Sequence, residues 1–378
     1  MSTLHSPFIL RGMTVKNRIA VSPMSQYRAK DGLANDWHLV HLGRFAMGGA
    51  GLVFVEATAV EASGRRTHGD LGLWTDEQIA PLARVTDFLK AEGAIPGVQL
   101  GHAGRKASER RPWHGETPVN AEDIADRGEA PWIALAPSPL PYADGWPAPQ
   151  EMSEADIGRV IEAFGDASRR ACAAGFEVIE VYAAHGFLVH QFLSPIANQR
   201  TDRWGGSPEN RRRFAVHVAL TIRETIPEHM PLIFRLSGTD WLDGGLEIEE
   251  TVDIAGALKQ AGVDMIDCSS GGIGGKERPR RMVIDQGFQV PFAARIRQEA
   301  NIATMAIGFL WDPEMCEALL AEGAADMVAL ARELLDDPNW PLHAAQRLGT
   351  DQGFALWPPE FGWWLNKRDR LVRKLGLR

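Results

Sequence analysis

Cysteine and tyrosine are both scarce in this chain of 378 residues, which has three of each. Cys172, Cys268 and Cys316 are far apart and odd in number. They define neither a disulfide framework nor a zinc knuckle, so a reducing cytoplasm is the expected setting. No apolar run approaches the ~18 residues that a membrane-spanning helix needs, and no membrane association is expected. The opening residues, MSTLHSPFIL, lack a basic region followed by a long apolar core, so no secretory leader is expected. Basic residues are in deficit, 40 against 49 acidic, for a net charge of −9. That balance argues against general nucleic-acid binding while leaving room for a local basic pocket. No Gly-x-Gly-x-x-Gly follows an early strand. No His, Asp and Glu set has metal-ligand spacing, so no metal is expected. Ser237 and Ser269 lack a nucleophile-elbow context.

What the chain does have is regular alternation. Eight apolar runs with a β-branched bias occur in order, at 19–23, 51–56, 95–100, 178–182, 232–235, 265–268, 303–307 and 327–330. Segments with helical spacing separate them: 36–47, 77–92, 153–174, 207–225, 249–261, 290–299, 313–322 and 338–348. Ser153 with Asp156 reads as a capping box, Thr75 as an N-cap, and Gly93, Gly175, Gly262 and Gly323 as stops. An eightfold alternation predicts an α/β fold, a (β/α)8 TIM barrel. One domain over 1–378 is expected. Residues 8–18 read as an N-terminal hairpin plugging the barrel bottom. Residues 103–152 form a long insertion after strand 3, rich in Pro, Gly, Trp and charge, of the kind that serves as a lid or substrate wall.

In such a barrel the C-terminal strand ends share one mouth. The residues there are Pro23, Met24, Ser25 and Tyr27 after strand 1, and Ala57 and Thr58 after strand 2. Gln99 and His102 belong to strand 3, Tyr182 and His185 to strand 4, and Arg235 to strand 5. Ser269 and 271–275 follow strand 6, Gly308 and Phe309 strand 7, and Ala331 and Arg332 strand 8. Tyr182 and His185, three residues apart, could grip a carbonyl oxygen or simply be satisfied by local hydrogen bonds. Glycines and free N–H groups after strands 7 and 8, with Arg332 at a helix start, make a phosphate site. Arg235 and Gln99 could hold the edge of a planar anionic heterocycle, because a buried Arg with no evident carboxylate partner needs an anion. The other reading of Arg235 is a buried salt bridge to an acid such as Glu180.

Several stretches then match one family in order. They are Val15-Lys-Asn-Arg-Ile-Ala-Val-Ser-Pro-Met-Ser-Gln-Tyr27, Asn35-Asp-Trp-His38, Glu56-Ala-Thr58, Gln99-Leu-Gly-His-Ala-Gly-Arg-Lys106, Ala184-His-Gly186, Phe192-Leu-Ser-Pro195, Asn198-Gln-Arg-Thr-Asp-Arg203, Gly205-Gly-Ser-Pro-Glu-Asn-Arg211 and Arg332-Glu-Leu-Leu335. Over nearly its whole length the chain resembles the old yellow enzyme family of FMN-dependent ene-reductases, and within it the thermophilic-like bacterial branch that includes xenobiotic reductases. The resemblance implies FMN and NADPH or NADH as cofactors and a small-molecule substrate, an activated alkene such as an enone or nitroalkene. It places Pro23, Met24, Ser25, Ala57, Gln99 and Arg235 around the flavin ring. Gly308, Phe309, Ala331 and Arg332 would be at its phosphate and ribityl tail, and Tyr27 and His185 above it. In the family, NAD(P)H reduces the flavin, which then reduces the alkene while paired donors stabilise the developing oxyanion. A homodimer or higher homo-oligomer is implied, with Trp364 of the C-terminal tail (349–378) the candidate to reach a neighbouring active site.

The chain departs from that family in the substrate pocket. Ser25 stands where this branch usually has a cysteine touching the flavin. Tyr182 replaces the first member of the oxygen-gripping pair. Phe187 replaces the tyrosine that protonates the α-carbon, so Tyr182, Tyr27 or water would have to supply that proton. Ile307 stands near where close relatives carry a tryptophan, which implies a wider pocket. These changes leave other flavin chemistry open: dehydrogenation, demethylation, or reduction of an aromatic or thioester-activated ring. A flavin-free barrel lyase or hydrolase is the reading from another class.

Overall fold

All eight apolar runs are strands of one closed parallel barrel. The computed structural model describes residues 3–275, 279 and 282–377. The barrel strands are β1 (Ile19–Val21), β2 (Leu52–Ala59), β3 (Ile95–Gly101), β4 (Val178–Ala183), β5 (Leu232–Ser237), β6 (Met265–Ser269), β7 (Ala303–Ala306) and β8 (Met327–Leu330). Each pairs in parallel with its sequence neighbours, and β8 pairs with β1 to close the ring. Every residue of β2 and of β5 is buried, as expected for strands covered on both faces.

The helices that cover the barrel are α1 (Asp36–Met47), α2 (Ile79–Ala91), α3 (Glu154–Ala173), α4 (Pro208–Thr225), α5 (Ile248–Gln260), α6 (Val290–Glu299), α7 (Pro313–Ala321) and α8 (Trp340–Arg347). Their starts are written in the sequence. Asn35 caps α1 through Trp37 N, and Ser153 forms a reciprocal capping box with Asp156 at α3. Thr75 does cap, but the turn it caps is a 3-10 turn, Asp76–Gln78, that leads into α2. An outer core of Phe164, Phe214, Val53, Val55 and their neighbours joins helices to barrel. An inner core fills the barrel's lower half with Ala20, Leu52, Phe54, Val178, Ile233, Met265, Met305 and Met327. Leu10 and Val15 of the hairpin Phe8–Leu10/Met13–Val15 pack into that inner core, so the hairpin closes the bottom.

The insertion adds a helix, Ala121–Arg127, and a two-residue parallel pairing of Leu135–Ala136 with Gln150–Glu151. It is tied to the loops at the barrel mouth. Arg105 donates to Ile273 O at 2.7 Å, Tyr142 Oη to Gly275 O at 2.7 Å, and Trp132 Nε1 to Ser63 O at 2.9 Å. The chain finishes in a helix, Pro359–Lys374, whose Phe361, Trp363 and Trp364 are exposed. Among the described residues, no helix is long and apolar enough to cross a membrane.

Candidate active site

A cavity of about 470 Å3 opens at the C-terminal mouth of the barrel. Its walls include Ser22, His185, Arg235, Ser269, Gln289, Ile307, Gly308, Phe309, Trp311, Ala331 and Arg332. The barrel thus brings His185, Arg235, Ile307, Gly308, Phe309, Ala331 and Arg332 of the expected set to one space. Gln99 and Ala57 lie buried opposite each other on β3 and β2, outside the cavity wall. Pro23, Met24 and Ser25 follow β1, but the wall residue from that segment is Ser22. Tyr27 stands apart, in an open hollow with Arg28, Trp37, Arg111 and Trp113. Trp364 is 63% exposed and does not enter the cavity of its own chain.

Arg235 has a partner that spacing did not reveal. Its Nε lies 3.3 Å from Asp267 Oδ2, and its Nη1 donates to Ser22 Oγ at 3.0 Å. Arg235 is therefore not unpartnered: the acid that pairs with it is Asp267, directly across the β5–β6 register. Glu180 accepts instead from Gln99 Nε2 at 2.7 Å and lies within hydrogen-bond reach of Asp267. Both carboxyls are fully buried. Burial, and for Glu180 the adjacent Asp267, raise both above the ordinary carboxylate range. Burial opposes the charge on Arg235, but the two acids more than offset it.

The turn after β4 carries the polar pair. Tyr182 Oη and His185 Nδ1 are 2.9 Å apart, and His185 Nε2 is hydrogen-bonded to Ser269 Oγ. Burial, then the Arg235 and Lys106 charges, hold His185 neutral, well below the ordinary imidazole range. Burial raises the Tyr182 phenol. Phe187 stacks on Tyr182 with ring centres 3.9 Å apart. His185 itself has φ +52, and two hydrogen bonds hold that backbone, one of them from an ammonium that also reaches Gly272. Lys106 Nζ donates to His185 O at 2.8 Å and to Gly272 O at 3.4 Å, while His185 N donates to Ser237 Oγ at 3.1 Å. Burial brings the Lys106 ammonium down to about 7. On the other side Glu56 accepts from Gln26 N at 2.5 Å and lies 3.2 Å from His38, which fixes the segment leading to Tyr27. Arg66 donates to Tyr27 Oη at 3.3 Å, and burial pushes the Tyr27 phenol up to about 12.

The loops after β4 and β6 meet backbone to backbone. A Cβ on Gly272 (φ +88) would lie 2.6 Å from His185 Cα. Gly272→Ala is expected to lower stability by ~1–3 kcal/mol and to displace His185. Thermal denaturation, with flavin content measured alongside, checks this, and an unchanged midpoint would count against it.

The family model for the NADH:flavin oxidoreductase / NADH oxidase family matches residues 3–351. The chain belongs to that family. It is an oxidoreductase that uses FMN and a nicotinamide cofactor. An NADPH dehydrogenase of Geobacillus sp. (strain WCH70) is 43% identical to it, covering 92% of this chain and 95% of that protein. One of Bacillus subtilis (strain 168) is 40% identical, with 92% and 96% covered. Among solved structures, morphinone reductase matches with a TM-score of 0.73 at 26% identity, over 93% of this chain and 90% of that one. A 2-naphthoyl-CoA reductase in complex with 2-naphthoyl-CoA matches with a TM-score of 0.80 at 25% identity, over 91% of this chain. The chain spans about half of that protein, 52% of its length.

The cavity suits the flavin of this family. Among the described residues its wall carries two arginines, Arg235 beside Ser22 and Arg332 lying 4.6 Å from the Phe309 ring centre. Among the described residues, the backbone N–H groups of Gly308, Phe309 and Arg332 make no hydrogen bond, so they are available to an anion. Gly308 has φ +113, and a Cβ there would lie 3.2 Å from Gln289. Sequence reasoning named neither Ser22, Gln289, Trp311 nor Asp267 as a site residue. Ser22 sat inside the matching N-terminal motif, and Asp267 was the one acid in an apolar strand. Gln289 and Trp311 carried no signal.

Proposed function

We propose that this oxidoreductase takes electrons from NADPH and reduces an activated C=C bond, with Tyr182 as the proton source. The observation that carries the reading is the Tyr182–His185 contact of 2.9 Å beside the cavity, on a turn whose neighbouring ring is Phe187. Phe187 has no proton to give. Tyr182 has, and its hydroxyl lies 2.9 Å from His185 Nδ1. FMN, when bound, supplies the two-electron transfer between the nicotinamide and the substrate. Ser22, Arg235, Gly308, Phe309, Ala331 and Arg332 would hold it. Tyr182 and His185 would orient the substrate oxygen or the carbon to be protonated, and the insertion would form a wall of that space. NADPH is preferred to NADH on the strength of the NADPH dehydrogenases that resemble the chain. The exposed Phe361, Trp363 and Trp364 support a homodimer, and the free thiols Cys172, Cys268 and Cys316 support a cytoplasmic setting.

A second reading, reduction of a thioester-activated aromatic ring, draws support from the likeness to 2-naphthoyl-CoA reductase. Anaerobic NADPH is expected to bleach the yellow protein. Cyclohexenone or a nitroalkene should then restore the colour faster than an aromatic thioester does. Reoxidation by the thioester alone would favour the second reading, and a protein that never bleaches would overturn both.

A further inference from the structure

A neutral imidazole between two hydroxyls sets up a simple count. Tyr182, His185 and Ser269 together carry three hydrogens, one each. The contacts Tyr182 Oη–His185 Nδ1 and His185 Nε2–Ser269 Oγ use two of them. The third is left at one end of the row. With one imidazole tautomer it is the Tyr182 O–H, and with the other it is the Ser269 O–H. Passing between the two states moves one proton along the row.

The state that leaves the Tyr182 hydrogen outward fits the surroundings. The Gln289 amide donates to Ser270 Oγ at 2.7 Å and to Ser269 Oγ at 3.4 Å. Ser269 Oγ accepts from that side, and in this state it turns its own hydrogen to His185 Nε2. His185 Nδ1–H then donates to Tyr182 Oη. Among the described residues, Tyr182 Oη makes no other hydrogen bond. Phe187 lies 25° from parallel on the Tyr182 ring and fixes its orientation. Ser269 is at the other end, in the wall of the cavity.

We infer that Tyr182, His185 and Ser269 form a proton wire that delivers a proton to the α-carbon of the substrate and refills from cavity water. The inference rests on the C=C reading. NADPH is oxidised by two electrons and the C=C bond is reduced by two. As the α-carbon gains its C–H bond, the Tyr182 O–H bond breaks. The His185 Nδ1 hydrogen passes to the phenolate oxygen, and the Ser269 hydrogen passes to His185 Nε2. Ser269 Oγ takes a proton from water, so one solvent proton is consumed per bond reduced. The imidazole regains its first tautomer by exchange with water before the next turnover. Ser269 acts through His185 and is a positioning residue, while Tyr182 is the catalytic residue.

The test is single-turnover reoxidation of the reduced holoenzyme by cyclohexenone in mixtures of H2O and D2O. Ferricyanide, which takes electrons with no proton delivered to carbon, reports the reduced flavin in each variant. The native enzyme should give a curved proton inventory, because more than one proton moves. Ser269→Ala should slow the alkene step about tenfold or more and straighten the inventory. Ser269→Thr, which keeps the hydroxyl, should restore both. A Ser269→Ala enzyme with the native rate and a curved inventory would overturn the wire and leave the C=C reading standing. Native reduced enzyme that ferricyanide reoxidises, but neither cyclohexenone nor a nitroalkene does, would overturn the C=C reading itself.

Discussion

Arg235→Met is expected to be among the most damaging single changes in this protein. It strands Glu180 and Asp267, both fully buried, with no cation between them. Removing one partner of a buried ion pair costs ~3–5 kcal/mol, because the other charge stays out of water. The sign with pH follows from the acids left behind. Both are already raised by burial, and losing the guanidinium raises them further. Below the ordinary carboxylate range both states hold their protons and the penalty is small. It grows as the pH rises, because the unfolded chain then ionises two carboxyls that the folded one resists ionising. Denaturant titrations across pH should show the gap to the native protein widening upward. Arg235→Met with Asp267→Asn should recover part of it. Flavin content should fall as well, since Arg235 is a cation in the cavity wall. A gap that is constant across pH would sink this account.

The same cluster shows what the sequence could and could not tell. The barrel was legible because strand and helix are local properties. β-branched runs, Ser153 with Asp156, Thr75 and the stop glycines each act within a few residues. The mouth was legible too, since strand ends in a parallel barrel converge. Which acid faces Arg235 was not legible. Glu180 and Asp267 sit on the strands either side of β5, and pairing register decides between them. Register is set by closure of the whole ring, not by spacing along the chain. Ser22 illustrates a finer limit. Pro23, Met24 and Ser25 follow it immediately, and only the end of β1 at Val21 determines which of the four meets the cavity. Gln289 lies just before α6, and nothing in its neighbours marks it as a partner of Ser270.

Asp240→Ala should rival the loss at Arg235, for a reason two residues removed from the chemistry. Asp240 is fully buried. One oxygen lies 2.9 Å from His190 Nε2, and the other accepts from Ser194 Oγ at 2.6 Å and Leu246 N at 2.8 Å. His190 Nδ1 accepts from Gly186 N at 2.9 Å, so His190 presents its hydrogen to Asp240 and its lone pair to the turn beside His185. The alanine variant leaves His190, Ser194 and Leu246 N without their acceptor, and a loss of ~3–5 kcal/mol is expected. Burial disfavours the Asp240 carboxylate, but His190 and the two donors outweigh it and hold it below the ordinary carboxylate range. A depressed carboxyl contributes its stability above the unfolded value, and that contribution disappears as the pH falls through the folded one. Native protein should therefore lose stability on acidification along a limb that Asp240→Asn lacks. Because Gly186 adjoins His185, both variants should also slow reoxidation by an alkene more than reduction by NADPH. Equal slowing of the two half-reactions would mean that the His190–Asp240 pair supports the fold without aiming the turn.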